Sequence, residues 1–356
     1  MKKKLLFVTN HLQYSDGVAK ALLEFANALD PEKFDVTVMS VFRKEKNFCK
    51  NFNGNVKVKT MFGFYLRGMW QVIKKISPAI LYKLFVRESY DVEIAFQYGA
   101  PTAILAHSSN KKAKHIAWMH GYGEAHLKDH ERYDNIVCCA KSNSEKYAEV
   151  YKYPERITYL YNLVNDSVIL QKAEETPDVV KRYEFTFCTV GRLSPEKGFL
   201  RLLKCHARLM SEGLRHNLWI VGGGAQYHEL KNFIDENGLQ DSAVLFGQDN
   251  NPYKYMARCD MFVCSSYTEG FSTVCVEAAI LGKSIVTTEV GGAIEFVEEN
   301  GIGSVVPNDD NALYEAMKGI LEDRGRIAEF EANISKMRDL HYDDRKRQAE
   351  EFFEKL

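Results

Sequence analysis

The sequence predicts an α/β protein made of two doubly wound domains, and three observations carry that expectation. The length of 356 residues suits two domains of ordinary size. Short apolar runs alternate along the chain with stretches whose apolar residues recur at helical spacing. A polar stretch, Lys172–Asp178 with two glutamates, Thr176 and Pro177, divides that alternation and reads as a linker.

Composition narrows the function classes. Hydrophobic residues make up 46% of the chain and charge is mixed, as in a soluble globular protein. A formal net charge of −1 gives no overall electrostatic case for nucleic acid. The eight cysteines form no C-x-x-C pair and no Cys/His set at zinc spacing. Cys188 and Cys264 lie within apolar runs and read as reduced core residues. The run Leu5–Val8 is too short for a signal peptide or a membrane span, and no other run reaches that length. A cytoplasmic protein is expected.

In the first half, the apolar run Leu5–Thr9 reads as a strand entering a polar turn, Asn10–Gly17. Val18, Leu22, Phe25, Ala26 and Leu29 then fall at helical spacing. Gly17 in that turn either admits a ligand to the backbone or supplies a positive φ. Phe34–Val41, Val56–Met61 and Asp91–Gln97 read as strands, and a helix starts at Pro101. Lys114–His120 is a further strand ending in His120-Gly121, at the carboxyl edge where open α/β sheets bind ligands. His120 is either a functional group there or an ordinary hydrogen-bonded histidine. Asn135–Ala140 and Ile157–Tyr161 complete the alternation.

Within this half, Lys46–Arg87 holds nine Lys/Arg and no Asp or Glu. Leu66, Met69, Trp70, Ile73 and Ile76 share a helical face, with Arg67, Lys74 and Lys75 turned elsewhere. After Pro78, the residues Leu81, Leu84 and Phe85 continue the pattern, accompanied by Lys83 and Arg87. A cationic amphipathic helix with a tryptophan suits an anionic membrane surface. The alternatives are a surface helix with its apolar face in the core, or a nucleic-acid patch, for which no recognised motif is present.

In the second half, Phe185–Val190 reads as a strand leading into G-R-L-S-P-E-K-G at 191–198, then an amphipathic helix from Phe199 to Met210. Arg192 and Lys197 thus lie in one Gly-bounded loop before a helix, where a fork and a point charge suit a diphosphate. Leu218–Val221 enters Gly222-Gly-Gly224. This is no dinucleotide fingerprint, because Tyr227 replaces the last glycine and no acid closes a following strand. Ala243–Gly247, Met261–Ser266 and Ser284–Val290 are further strands. Asn311–Leu340 and Asp343–Leu356 read as helical. The stretch Ser265–Glu277 is the centre of interest: a strand, a turn with Glu269 and Gly270, and a helix closed by Gly282. Converging N–H groups there suit an anion, while Glu269 and Glu277 suit hydroxyls. A phosphorylated sugar has both parts.

Together these motifs resemble the retaining GT-B glycosyltransferases of family 4 over nearly the whole chain, most densely from Gly191 to Pro307. The 191–198 motif resembles the family's diphosphate loop, and Glu269 with Glu277 its E-x7-E pair. V-G-G-G at 221–224, V-G-G at 290–292, W-M-H-G at 118–121 and Y-N at 161–162 resemble other family elements. Asp16-Gly17 departs from the Gly-Gly of many members. The resemblance implies two Rossmann-like domains facing a cleft: residues 1–170 for the acceptor, joined by a crossover helix at 341–356, and residues 171–340 for the donor. It implies that Arg192 and Lys197 neutralise the leaving diphosphate without metal or other cofactor, and that Glu277 holds the ribose. Glu269 with the turn Gly270, Phe271, Ser272 and Thr273 would hold the sugar. Gly17, Gly191, Gly222 and Gly247 would approach the donor, His120 would lie near the reacting centre, and Asn162 would sit at the hinge.

The expected activity is transfer of a hexose, with retention, from a nucleotide diphosphate sugar, UDP by family frequency. The acceptor would be a lipid-linked or cell-surface glycan at the inner face of a bacterial membrane, with the protein peripheral on that anionic surface. The alternatives are the same reaction on a soluble acceptor, or a non-catalytic GT-B partner subunit. The latter should have lost some of Arg192, Lys197, Glu269 or Glu277, and all four are present.

Overall fold

The structure, a computed structural model, describes the chain except residues 1, 15, 67, 74, 122–129 and 338–341 and the side chains of Trp70 and Val72. It comprises two units, Met1–Leu163 with Asp343–Leu356, and Val164–Tyr342.

Among the described residues the first unit holds seven strands: β1 (Lys3–Thr9), β2 (Phe34–Ser40), β3 (Lys57–Thr60), β4 (Val92–Ala95), β5 (Lys114–Met119), β6 (Asn135–Cys138) and β7 (Ile157–Tyr159). They form one parallel sheet in the order β3-β2-β1-β4-β5-β6-β7. Strands covered on both faces read as continuous apolar runs, and Leu5–Val8 in β1 is wholly buried. Successive side chains alternate between faces. Leu6 and Val8 join one core with Ala95, Ala117 and Ile136. Phe7 instead meets Phe353 of the last helix, Tyr342–Lys355, edge-on at 5.8 Å. Phe353 also stacks against Trp118 at 6.5 Å. Lys3 Nζ donates to the carbonyls of Phe353 and Glu354 at 2.8 and 2.9 Å, capping that helix with a cation.

The second unit holds β8 (Thr186–Val190), β9 (Asn217–Val221), β10 (Ala243–Gly247), β11 (Met261–Cys264), β12 (Ile285–Thr288) and β13 (Gly303–Val306), parallel in the order β10-β9-β8-β11-β12-β13. In both sheets the order reverses beside the first strand, which opens a ligand crevice at the carboxyl ends. The helix Phe199–Ser211 buries Leu202, Leu203 and Leu209 against this sheet. It also buries His206, whose Nδ1 meets His216 Nε2 at 2.8 Å and whose Nε2 meets Ser242 Oγ at 2.9 Å. A buried polar chain persists because its members satisfy one another.

Several elements differ from expectation. β13 was not anticipated: it is four residues long and opens on Gly303, where a Cβ would overlap the Ile285 carbonyl of β12. The expected linker is partly helical. Asp166–Ala173 forms a helix because Asn165 Oδ1 accepts the Val168 N–H, and the chain passes between units at Leu163 and Val164, ahead of that helix. The basic segment is not one helix but two short ones, Met69–Ile73 and Pro78–Phe85, after Gly68 at φ +81° and at Pro78. Ile73, Leu81 and Tyr82 are buried, whereas Leu66 is 67% and Ile80 59% exposed, and Ile76 and Leu84 are exposed too. The apolar stripe is therefore split between core and solvent. Lys75, Lys83 and Arg87 are exposed beside it. Arg67, Lys74 and the Trp70 side chain, assigned to the same patch, lie outside the described residues. No helix among the described residues is long and apolar enough to cross a membrane.

Candidate functional site

In the second unit, the carboxyl ends of the strands open into loops that hold one another through their backbones. β8 runs into Gly191–Gly198, with a 3-10 turn at Pro195–Lys197. β9 runs into Gly222–Gly224. Gly191 N–H donates to Val221 O at 3.0 Å, Leu193 N–H to Gly223 O at 2.9 Å, and Gln226 N–H to Leu193 O at 3.0 Å. A Cβ at Gly222 or Gly224 would overlap the carbonyls of Gly191 or Leu193. This glycine run is thus explained by two loops packed backbone to backbone, and Gly222 N–H continues the contact to Gly247 O at 2.8 Å.

The 191–198 loop is also joined to the turn after β11. Tyr267 N–H donates to Glu196 O at 2.8 Å, and Ser265 Oγ to Lys197 O at 3.0 Å. These bonds bring Lys197 and Glu269 together across a small cavity that Thr189, Phe199 and Ser266 also line. Lys197 Nζ donates to Glu269 Oε1 at 2.6 Å, and Ser266 Oγ donates to the same oxygen at 2.6 Å. Arg192, which the sequence grouped with Lys197, is placed differently. Its side chain is 60% exposed against 24% for Lys197, and it pairs with Glu196 at 3.1 Å. The Ser194 hydroxyl, with the Arg192 charge behind it and burial opposing, holds the Glu196 carboxyl below its ordinary range.

Glu277 lies on the helix Thr273–Ile280 that follows the turn, and Tyr253 Oη donates to it at 3.2 Å. Gly282, at φ +73°, closes that helix. Phe271 is buried edge-on to Phe296 at 5.9 Å. Ser272 stands at the helix start with its hydroxyl 3.7 Å from Cys264 Sγ, and Thr273 opens the first turn, whose N–H groups face outward from the helix end. Gly270 lies between Glu269 and these residues.

In the first unit, His120 follows β5. Its Nε2 lies 2.9 Å from the Phe96 carbonyl, which can only accept, so Nε2 carries the proton and Nδ1 is left as an acceptor. Burial pushes its pKa down to about 4 against the opposing carbonyl bond, and the ring is neutral at pH 7. Gly17 is the first residue of the helix Gly17–Ala28, capped by Asp16 Oδ1 on Val18 N–H at 2.9 Å. It has no positive φ, so the turn explanation for this glycine fails, and a Cβ there would meet nothing within 4 Å. Asn162 is buried at the end of the first unit, where its carbonyl accepts from Arg345 Nη1 at 3.2 Å.

Sequence reasoning missed Arg201, Thr288 and Asn308, which all bond to the turn before Glu269. Arg201 reads in the sequence as one cation on an amphipathic helix, and no local signal marks it.

Residues 172–337 match the model of the family described as glycosyl transferases group 1. Among curated relatives, the N-acetylgalactosamine-N,N'-diacetylbacillosaminyl-diphospho-undecaprenol 4-alpha-N-acetylgalactosaminyltransferase of Campylobacter jejuni is 35% identical over 193 residues, 53% of this chain and 51% of that protein. The chain thus spans about half the length of that relative. An uncharacterized glycosyltransferase of Haemophilus influenzae is 24% identical over 325 residues, 89% of each chain. Among solved structures, Anabaena Alr3699/HepE in complex with UDP and glucose superposes with a TM-score of 0.76 at 19% identity, covering 99% of this chain and 100% of that one.

Proposed function

Taking the chain as a GT-B protein with a glycosyl transferases group 1 domain over residues 172–337, we propose that it transfers a hexosyl unit from a UDP-sugar to a lipid-linked or cell-surface glycan, with retention. The observation that carries this reading is the Lys197–Glu269 contact of 2.6 Å. It sets a cation suited to a diphosphate against a carboxylate suited to sugar hydroxyls, on loops at the carboxyl edge of one sheet. The UDP and glucose bound in the Anabaena structure, and the undecaprenyl diphosphate in the Campylobacter jejuni relative's name, support the donor and acceptor classes.

In the transfer, the bond from the sugar's anomeric carbon to the diphosphate oxygen breaks, and the electron pair leaves with UDP. A bond from the acceptor hydroxyl oxygen to the same face of that carbon forms, and the hydroxyl proton passes to the leaving phosphate. Lys197 meets the charge that develops on the diphosphate, with Arg192 at the loop's outer end, so the step runs without metal. Glu269 Oε1 is held by Ser266, which orients the carboxylate towards sugar hydroxyls. His120, neutral, has Nδ1 available to accept from a substrate hydroxyl. Glu277 takes ribose hydroxyls, and the first unit presents the acceptor. The exposed Leu66, Ile76, Ile80 and Leu84 beside Lys75, Lys83 and Arg87 support docking of that unit on the anionic inner leaflet.

Thermal unfolding against a panel of nucleotides and nucleotide sugars, without metal, tests the donor assignment. Ligand at 100 times its Kd stabilises the fold by about 2.7 kcal/mol. A shift given by UDP and lost in Lys197→Ala is expected. No shift with any nucleotide diphosphate would remove the donor assignment.

A further inference from the structure

The turn that carries Glu269 lies between the end of β11 at Cys264 and the helix start at Thr273, outside any ladder. Three successive carbonyls in it are taken up by side chains from distant segments. Arg201 Nε donates to Ser265 O and Arg201 Nη2 to Ser266 O, each at 2.7 Å. Thr288 Oγ1 also donates to Ser266 O, at 2.6 Å, and Asn308 Nδ2 donates to Tyr267 O at 2.8 Å. Arg201 Nη1 in turn donates to Asn308 Oδ1 at 2.9 Å, and the guanidinium lies 3.9 Å from the centre of the Tyr267 ring. One side chain therefore reaches all three residues, directly or through Asn308.

Arg201 is 2% exposed. Burying a guanidinium is unfavourable unless its donors are used, and here they are, with Nη1 also 3.8 Å from Asp310 Oδ1. What the arginine supplies is a planar fork that spans two neighbouring carbonyls, which a lysine cannot do. The same group reaches the other half of the site. Gly198, next to Lys197, sits at φ +66° where a Cβ would overlap Ser265 O and lie 2.9 Å from Arg201 Nε. Ser266, held by the fork, is the residue whose hydroxyl bonds Glu269.

We propose that Arg201 is a positioning residue for the transfer reaction. It fixes the Ser265–Tyr267 backbone and, through Gly198 and Ser266, the register of Lys197 against Glu269, while touching no substrate itself. This rests on the reading that Lys197 and Glu269 handle the donor.

The test compares Arg201→Lys, which keeps the charge but not the fork, with Asn308→Ala, which removes the outer link at an exposed side chain and so guards against a variant that fails to fold. UDP and UDP-glucose are the probes. Hydrogen exchange of the 265–272 amides should rise in both variants while β8 and β9 stay protected. The kcat for UDP release from UDP-glucose should fall about 30-fold in Arg201→Lys, and less in Asn308→Ala, with the UDP-induced thermal shift retained. A purely structural role would raise exchange throughout the second unit and leave kcat per folded molecule unchanged. That result, or unchanged exchange at 265–272, overturns the proposal. Wild-type protein that neither binds UDP nor releases it overturns the donor reading instead, and the exchange comparison, which needs no nucleotide, tells the two failures apart.

Discussion

Lys197 and Ser266 donate to one and the same oxygen of Glu269, each at 2.6 Å. Were a diphosphate to draw Lys197 away, that carboxylate would still be held by Ser266. Removing either partner should then damage turnover more than folding. Glu269→Ala and Lys197→Ala are each expected to lower transfer by about 100-fold or more. Steady-state kinetics on folded variants checks this, and unchanged turnover in either strikes that residue from the site.

Gly17 offers a test that stability cannot confuse. Neither its φ nor its surroundings demand glycine, so Gly17→Ala should leave the unfolding midpoint unchanged or slightly higher. If a substrate approaches this backbone, the KM for donor or acceptor should rise several-fold. Wild-type kinetics would show that nothing approaches there.

Histidines tie stability to pH: burial lowers the pKa of His11 as well as those of the three that follow. Burial pushes His120 and His216 down to about 4, and burial with the neighbouring His216 pushes His206 down to about 3, from an ordinary value of 6.5. Between these values the unfolded chain binds protons that the folded one refuses, so stability is fully present above about pH 6.5 and falls as pH drops towards 4. Each group contributes a slope of about 1.4 kcal/mol per pH unit in that window. Urea unfolding at pH 7 and pH 5 should show the loss. His206→Asn should flatten the slope even though it lowers the midpoint, and an unaltered slope would refute the assignment.

The split apolar stripe is open to a direct assay. Exchanging Lys75 and Lys83 for glutamate should weaken binding to anionic vesicles by about 30-fold or more, at roughly 1 kcal/mol for each lysine near the surface. Ile80→Asp should weaken binding to the same vesicles with no change in the unfolding midpoint, because that side chain is exposed. Retention of both variants on vesicles would leave this surface without a membrane role.

Metal independence is checked with chelator. Transfer should continue in excess EDTA, since Lys197 is assigned the charge on the leaving group. Loss of activity that magnesium or manganese restores would overturn that assignment.

Much of this fold was legible because its strands are buried on both faces. Leu5–Val8 and Met261–Cys264 contain no polar interruption, and amphipathic spacing from Phe199 to Met210 marks a helix that covers the second of these strands. β13 escaped because a short edge strand opening on glycine carries little apolar signal. The positions of Lys197 and Glu269, each in a turn between a strand and a helix, were legible from local pattern. Their contact was not, since it spans 72 residues. Arg201 was invisible for the same reason in stronger form: its partners are carbonyls 64 and 65 residues away, and every residue type presents a carbonyl.

Phe353 lies in the last helix yet packs on Phe7 of the first strand. Synthesis completes the stretch from Val164 to Tyr342 before the first unit gains the side chain that fills the space beside Phe7 and Trp118. The usual order, in which the N-terminal domain is complete before the next is begun, cannot hold for this first unit. The sheet begun earliest is the one covered last, and a chain ending at Tyr342 has every strand of both sheets but no helix against Phe7 and Trp118.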